Sequence, residues 1–200
     1  MDLNKIIQRA RSLLVSPRTE WPVIAAEPAT VAGLYREYIM ILAAIPPVCR
    51  FLKTSVLGYA WNGFRVYRLG MGAGLTAAIV EYAISLLAVY GMALIIEALA
   101  PNFGGQSNRI QALKVAAYSY TASWIAGCAV ILPGLYVLVA LAGAIYSCYL
   151  LYLGLPGTMK VSPDKAGGYA AVTAVIALVL GWLIGATAGG IAGVSLADSG

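Results

Sequence analysis

The chain has 200 residues, 61% of them hydrophobic and only 10% charged, where a soluble domain has about 45–50% and about 25%. So much apolar surface cannot be hidden in one soluble core, and lipid becomes the expected solvent. Thirteen basic and eight acidic residues give +5, but the cations are spread among segment ends. That distribution fits membrane topology and anionic headgroups, and it argues against a nucleic-acid surface.

The first sixteen residues, MDLNKIIQRARSLLVS, place Leu3, Ile6, Ile7, Ala10, Leu13 and Leu14 at helical spacing, with Lys5, Arg9 and Arg11 on other faces. An amphipathic interfacial helix is predicted, too short and too charged to span. Pro17, Pro22 and Pro28 then predict a surface connector without a long helix, and Trp21 suits the headgroup region. Residues 1–32 therefore read as an N-terminal segment at the membrane surface, and residues 33–200 as the transmembrane domain.

Five spans are predicted over 33–57, 71–99, 111–131, 135–155 and 168–193, each near or above the roughly 20 residues a hydrocarbon core demands. The fold class is thus all-α and polytopic. Pro46 and Pro47 remove two backbone donors inside the first span and should bend it. GMGAG at 70–74 lacks a preceding strand, so it reads as a helix start with small packing residues rather than a nucleotide loop. The short link ILPGLY predicts a tight antiparallel hairpin of spans three and four. In the last span Gly181, Gly185, Gly189 and Gly193 recur every fourth residue and form a groove for close helix contact, within the chain or between copies.

Basic residues set the orientation. With the N-terminus in the cytoplasm, Lys5, Arg9, Arg11, Arg18, Arg36, Arg109, Lys114, Lys160 and Lys165 fall inside, against Arg65 and Arg68 in the first outer loop. The C-terminus then lies outside.

The charges within spans need partners, because an ion at the bilayer centre costs at least about 2.5–3.5 kcal/mol. Glu81 lies roughly 15 Å below the outer end of span two, and Arg50 roughly 10 Å below the same surface on span one, at about 1.5 Å per residue. An Arg50–Glu81 pair is predicted, with Lys53 as substitute partner. Glu97 sits in the last turn before Pro101, where helix-end carbonyls repel it, and Lys114 is its expected partner. Arg50 and Glu81 read equally as a structural staple or, with Tyr82 or Tyr90, as an ion or proton path.

Catalysis finds little support. With no histidine, Ser/His and Cys/His triads are excluded, and the acids are dispersed over separate spans. Cys49, Cys128 and Cys148 each lie in an apolar run and read as small core residues, with no metal site, disulfide or cofactor expected.

Three longer stretches carry a family resemblance: SPRTEWPVIAAEPATVAGLYREYIMILAAIPP at the front, APNFGGQSNRIQALKVAAYSYTASWIAG at 100–127, and YLLYLGLPGTMKVSPDKAGGY at 149–169. Together they resemble the bacterial branch of the Yip1 domain family. The motif-bearing positions are Pro101, Gly104, Gly105 and Gln106 in one loop and Gly154, Pro156, Lys160, Pro163 and Lys165 in the other. The resemblance implies a five-helix membrane protein with a cytoplasmic N-terminal segment. Eukaryotic members sit in Golgi and endoplasmic-reticulum membranes and associate with Rab GTPases and one another; in a bacterium only the architecture and a habit of forming complexes carry over. Where the family pattern reads Thr-Pro, this chain has Thr121 followed by Ala122, which predicts a straighter third span. Gly154 and Pro156 are expected to end the fourth span, and Ser162 to cap the fifth, with Pro163 at its first position and Asp164 in its first turn.

The combined expectation is a non-enzymatic inner-membrane adaptor or membrane-organising component. Its partners would be the lipid bilayer and a second copy or another membrane protein, not nucleic acid. The alternative is a small channel or transporter for an ion, proton or small solute.

Overall fold

The computed structural model describes residues 3–61, 65–132 and 134–179. The described chain is helical apart from one short hairpin. Two N-terminal helices, α1 (Leu3–Val15) and α2 (Pro17–Ala26), precede a long segmented helix over Val31–Leu57. That segment comprises α3 (Val31–Leu34), a π-helical turn at Tyr35–Ile39, α4 (Met40–Leu42), α5 (Ile45–Phe51) and a second π-helical stretch at Leu52–Leu57. Strands β1 (Tyr59–Trp61) and β2 (Arg65–Tyr67) pair antiparallel, with Tyr59 opposite Tyr67. The chain continues through α6 (Met71–Leu99), a 3₁₀ turn at Ala100–Phe103, α7 (Arg109–Ser119), α8 (Thr121–Ala126), a 3₁₀ turn at Gly127–Ile131 and α9 (Tyr136–Met159). A further helix, α10, occupies 163–179.

The centre of the bundle is α7. Its residues from Ala112 to Ser119 are buried without interruption, so this short helix is enclosed on every side. Ala112, Ala116 and Ala117 present methyl groups only, which lets α6 and α9 pack close on either flank. The two flanking helices turn large apolar side chains outward, Leu75, Ile79 and Leu87 on α6 and Val137, Leu138 and Ile145 on α9. Bare apolar surface of that kind is what lipid covers.

Among the described residues three helical stretches, Val31–Leu57, Met71–Phe103 and Tyr136–Met159, are long and apolar enough to cross a membrane. The third predicted span departs from expectation. Residues 111–131 are not one straight helix: Tyr120 is a turn between α7 and α8, and the last residues tighten into 3₁₀ geometry. The break survives without the family's proline. Here the Thr121 hydroxyl is held by that of Tyr38, 2.8 Å away, so a tertiary contact accompanies the break where a missing backbone donor would otherwise explain it.

The first span is interrupted just before the prolines that predict a bend. The helix opens at Ala43–Ala44 and restarts at Ile45 with prolines in the first turn, where their missing N–H groups cost nothing. Gly70 precedes the first residue of α6, and Gly74 packs on Ser55, whose hydroxyl would stand 1.9 Å from an added Cβ. Spans three and four form the expected hairpin, Gly134 taking positive φ (83°) in the link. Its faces are joined by a Ser123–Ser147 hydroxyl contact of 2.8 Å and by Gly143 against Ala126.

The prolines of residues 17–28 do not leave a surface connector. Pro17 opens α2, Pro22 sits inside it, and Trp21 and Ile24 are buried. Trp21 is therefore a core anchor rather than a headgroup residue. Gly154 supplies its seat: a Cβ there would stand 2.7 Å from the indole ring. Gly154 and Pro156 accordingly do not end α9, which runs on to Met159 and stops at Lys160 in the left-handed conformation (φ 58°). The Thr158 hydroxyl donates back to the Gly154 carbonyl, one turn earlier, at 2.8 Å. The glycines Gly181, Gly185, Gly189 and Gly193 lie outside the described residues.

Candidate functional site

A polar cavity of about 830 Å³ opens at the end of the bundle where α1 and α2 dock. Lys5, Arg9, Glu20, Glu27, Glu37, Tyr38, Lys114 and Tyr118 line it among others. The α1 residues Ile6, Ala10 and Leu13, spaced i, i+4 and i+7, are buried on one face of the helix. Arg9 on the adjoining face then reaches both Glu20 and Glu27 and bridges α1 to the two ends of α2. Burial works to lower the Arg9 pKa, but hydrogen bonding and charge from Glu27 prevail, and the guanidinium is held above its ordinary value.

Lys114 forms the floor. It is 2% exposed, and its Nζ donates to the carbonyl of Ile24 at 2.7 Å and to that of Glu27 at 2.5 Å. Those oxygens belong to the C-terminal turn of α2, where carbonyls lack helical partners and the helix dipole is negative. Lys114 is thus a C-cap delivered from another helix. Gln111, three residues earlier, donates to the Ala25 carbonyl at 3.0 Å, and Tyr146 donates to Leu14 at 2.8 Å. Tyr118 completes the face, its ring tilted against Tyr38 (4.6 Å) and edge-on to Trp21 (6.4 Å).

Lys114 therefore does not pair with Glu97, contrary to the expectation from sequence. Glu97 takes Arg109, with Nε 2.5 Å from its carboxylate, and Arg109 also reaches the Tyr90 hydroxyl at 3.4 Å. The reason is helical pitch: Arg109 opens α7 beside the loop that follows Glu97, while Lys114 lies five residues deeper, roughly 7 Å along the axis. Arg50 and Glu81 do meet across α5 and α6, Nε to carboxylate 3.2 Å. Lys53, the expected substitute, lies in the π-helical stretch that follows α5.

The two motif loops interlock. Gly104 takes φ 73°, and Gly105 sits so close to the other loop that a Cβ would fall 2.6 Å from Val161 and 2.8 Å from the Met159 carbonyl. The backbone N–H of Gln106 donates to that same carbonyl at 2.8 Å. Lys165 brings its ammonium to the edge of Gly104, and Phe103 stacks on Tyr169 at 4.8 Å. Pro101 lies in the 3₁₀ turn at Ala100–Phe103 that leads into the first loop, while α10 begins at Pro163, with the Ser162 carbonyl accepting from the amides of Lys165 and Ala166.

Of the cysteines, only Cys49 is buried; Cys128 and Cys148 are exposed, so the reading of all three as core residues is corrected for two. The residues that sequence reasoning missed are Arg9, Glu20, Glu27, Gln111 and Tyr118. One signal was present: Gln111, Lys114 and Tyr118 fall at i, i+3 and i+7, a polar stripe on an otherwise apolar helix.

The Yip1 domain family model matches residues 11–185. The inner membrane protein YohC of Escherichia coli strain K12 is 29% identical over 171 residues, 84% of this chain and 87% of that protein. YohC of E. coli O6:H1 matches to the same extent. No solved structure matches the chain. The matched stretch takes in both interlocked loops, the break at Tyr120 and most of the docked N-terminal helices, and the chain belongs to the Yip1 domain family.

Proposed function

We propose that this chain is a non-enzymatic, multi-pass inner-membrane protein that acts as an adaptor or membrane-organising component. The chain crosses five times, with the N-terminus in the cytoplasm and the C-terminus in the periplasm. In that reading α1 and α2 form a cytoplasmic cap, and the residues on their outer surface meet lipid headgroups or a membrane-protein partner, including a second copy.

One observation carries the proposal. Each ion pair among the described residues joins two different elements: Arg9 with Glu20 and Glu27, Arg50 with Glu81, Arg109 with Glu97. The buried cation Lys114 likewise spends its donors on backbone carbonyls. Charges used as inter-helix fasteners hold a shape, which is what an adaptor offers its partner. The name of the E. coli relatives, inner membrane protein, supports the location.

The cavity favours a second reading, a transporter with this space as cytoplasmic vestibule and Glu81 on its path. Flux in proteoliposomes separates the two. The adaptor reading expects no flux of protons or small ions above protein-free vesicles. Flux that disappears in a folded Glu81→Gln variant would establish the transporter instead.

A further inference from the structure

Cys49 in α5 and Cys128 in the 3₁₀ turn after α8 are 79 residues apart in sequence, yet their sulfurs lie 3.1 Å from one another. The closeness is built into the backbone. Gly127 lies against Pro46, so near that a Cβ would stand 2.9 Å from the proline ring, and the two elements pack directly. The sulfurs need to move only about 1 Å to reach the roughly 2.04 Å of a disulfide. Their surroundings differ: Cys49 is buried in the bundle, while Cys128 is exposed on its surface.

We infer that Cys49 and Cys128 form a redox-active dithiol site that takes a disulfide compound as oxidant and closes to a reversible staple between the first and third helical segments. Cys128, the accessible thiol, attacks one sulfur of the oxidant's disulfide. A mixed disulfide forms, the oxidant's other sulfur leaves as a thiolate, and the Cys128 proton passes to it. Cys49 then attacks the Cys128 sulfur, expelling the second thiolate, which takes the Cys49 proton. The two cysteines lose two electrons in all, and the oxidant's disulfide becomes two thiols. On the sidedness proposed above, the pair lies in the half of the bundle nearer the oxidising periplasm; the chemistry itself does not depend on that orientation.

The test uses full-length protein in detergent and dithiodipyridine as the oxidant, read by thiopyridone release and intact mass. The Cys148→Ala variant should release thiopyridone, lose two hydrogens and retain no pyridylthio group. Adding Cys49→Ala should leave a stable pyridylthio adduct on Cys128. Adding Cys128→Ala instead should slow the reaction of Cys49 by about tenfold or more, because the remaining thiol is buried. Peptide mapping of the oxidised wild-type chain, which requires no substitution to fold, should find Cys49 linked to Cys128 and the adduct on Cys148 alone. Stable adducts on both Cys49 and Cys128, or two thiols left unreacted, would overturn the proposal.

Discussion

Replacing Lys114 by Met keeps the apolar stem of the side chain as far as Cε and deletes the ammonium with its three donors. Two contacts vanish, at 2.7 Å to Ile24 and 2.5 Å to Glu27, and a hydrogen bond from a charged donor contributes about 1.5–3 kcal/mol. Against that loss stands the relief of no longer desolvating an ammonium, worth several kcal/mol in a dry site. Here the relief is partial, because the Glu27 carbonyl is only part-buried and borders the cavity. The net cost falls at about 2–3 kcal/mol, and at 1.36 kcal/mol per tenfold the open form of the cap becomes about 30- to 150-fold more populated. Trypsin reads this directly, since Arg9, Arg11 and Arg18 all lie in α1 and α2, and cleavage of a transiently opened segment tracks its population. Initial cleavage in the cap should accelerate by that factor while α6 and α9 stay intact. As an internal scale, Gln111→Leu removes one neutral bond of 3.0 Å and should accelerate cleavage about fivefold, for about 1 kcal/mol. Acceleration by less than about threefold in Lys114→Met, a net cost under about 0.7 kcal/mol, would refute the view that the buried ammonium clamps α2.

Three further outcomes follow from the packing. Gly105→Ala sets a methyl 2.8 Å from the Met159 carbonyl, which is backbone and cannot step aside; thermal unfolding in detergent should show a loss of about 1–3 kcal/mol. Gly154→Ala drives a methyl into the Trp21 ring, so the cap should again become trypsin-sensitive, and a Trp21→Leu second substitution should restore part of the protection by vacating the space. Tyr38→Phe removes the hydroxyl contact with Thr121 and should cost about 1 kcal/mol, whereas the double variant with Thr121→Val should cost less than the sum of the two singles, as contacting residues do in a mutant cycle.

Local rules carry a good part of this molecule. The apolar runs announce lipid, since no core of this size could absorb them, and the paired prolines mark the interruption of the first span for reasons internal to the backbone. Of the six apolar residues at helical spacing in α1, Ile6, Ala10 and Leu13 are buried, whereas Leu3 and Ile7 stay exposed. Depths within about 5 Å of one another on adjacent antiparallel spans were enough to pair Arg50 with Glu81.

Partners across the bundle were a different matter. The contacts that make the cavity join residues about 87–90 apart in sequence, and no periodicity reports which helix end a buried lysine will cap. Trp21 and Gly154 illustrate the same point: an indole flanked by prolines and a glycine before a proline both carry strong local meanings, surface anchor and helix stop. Packed against one another they acquire another, because filling the notch above a glycine buries more apolar area than either local preference is worth. Sequence by itself determined the solvent, the helical class and the positions of bends and charges, all set by interactions within a few residues. Only the tertiary structure decided which charge met which carbonyl and which thiols became neighbours, because those choices depend on distances closed by the whole fold.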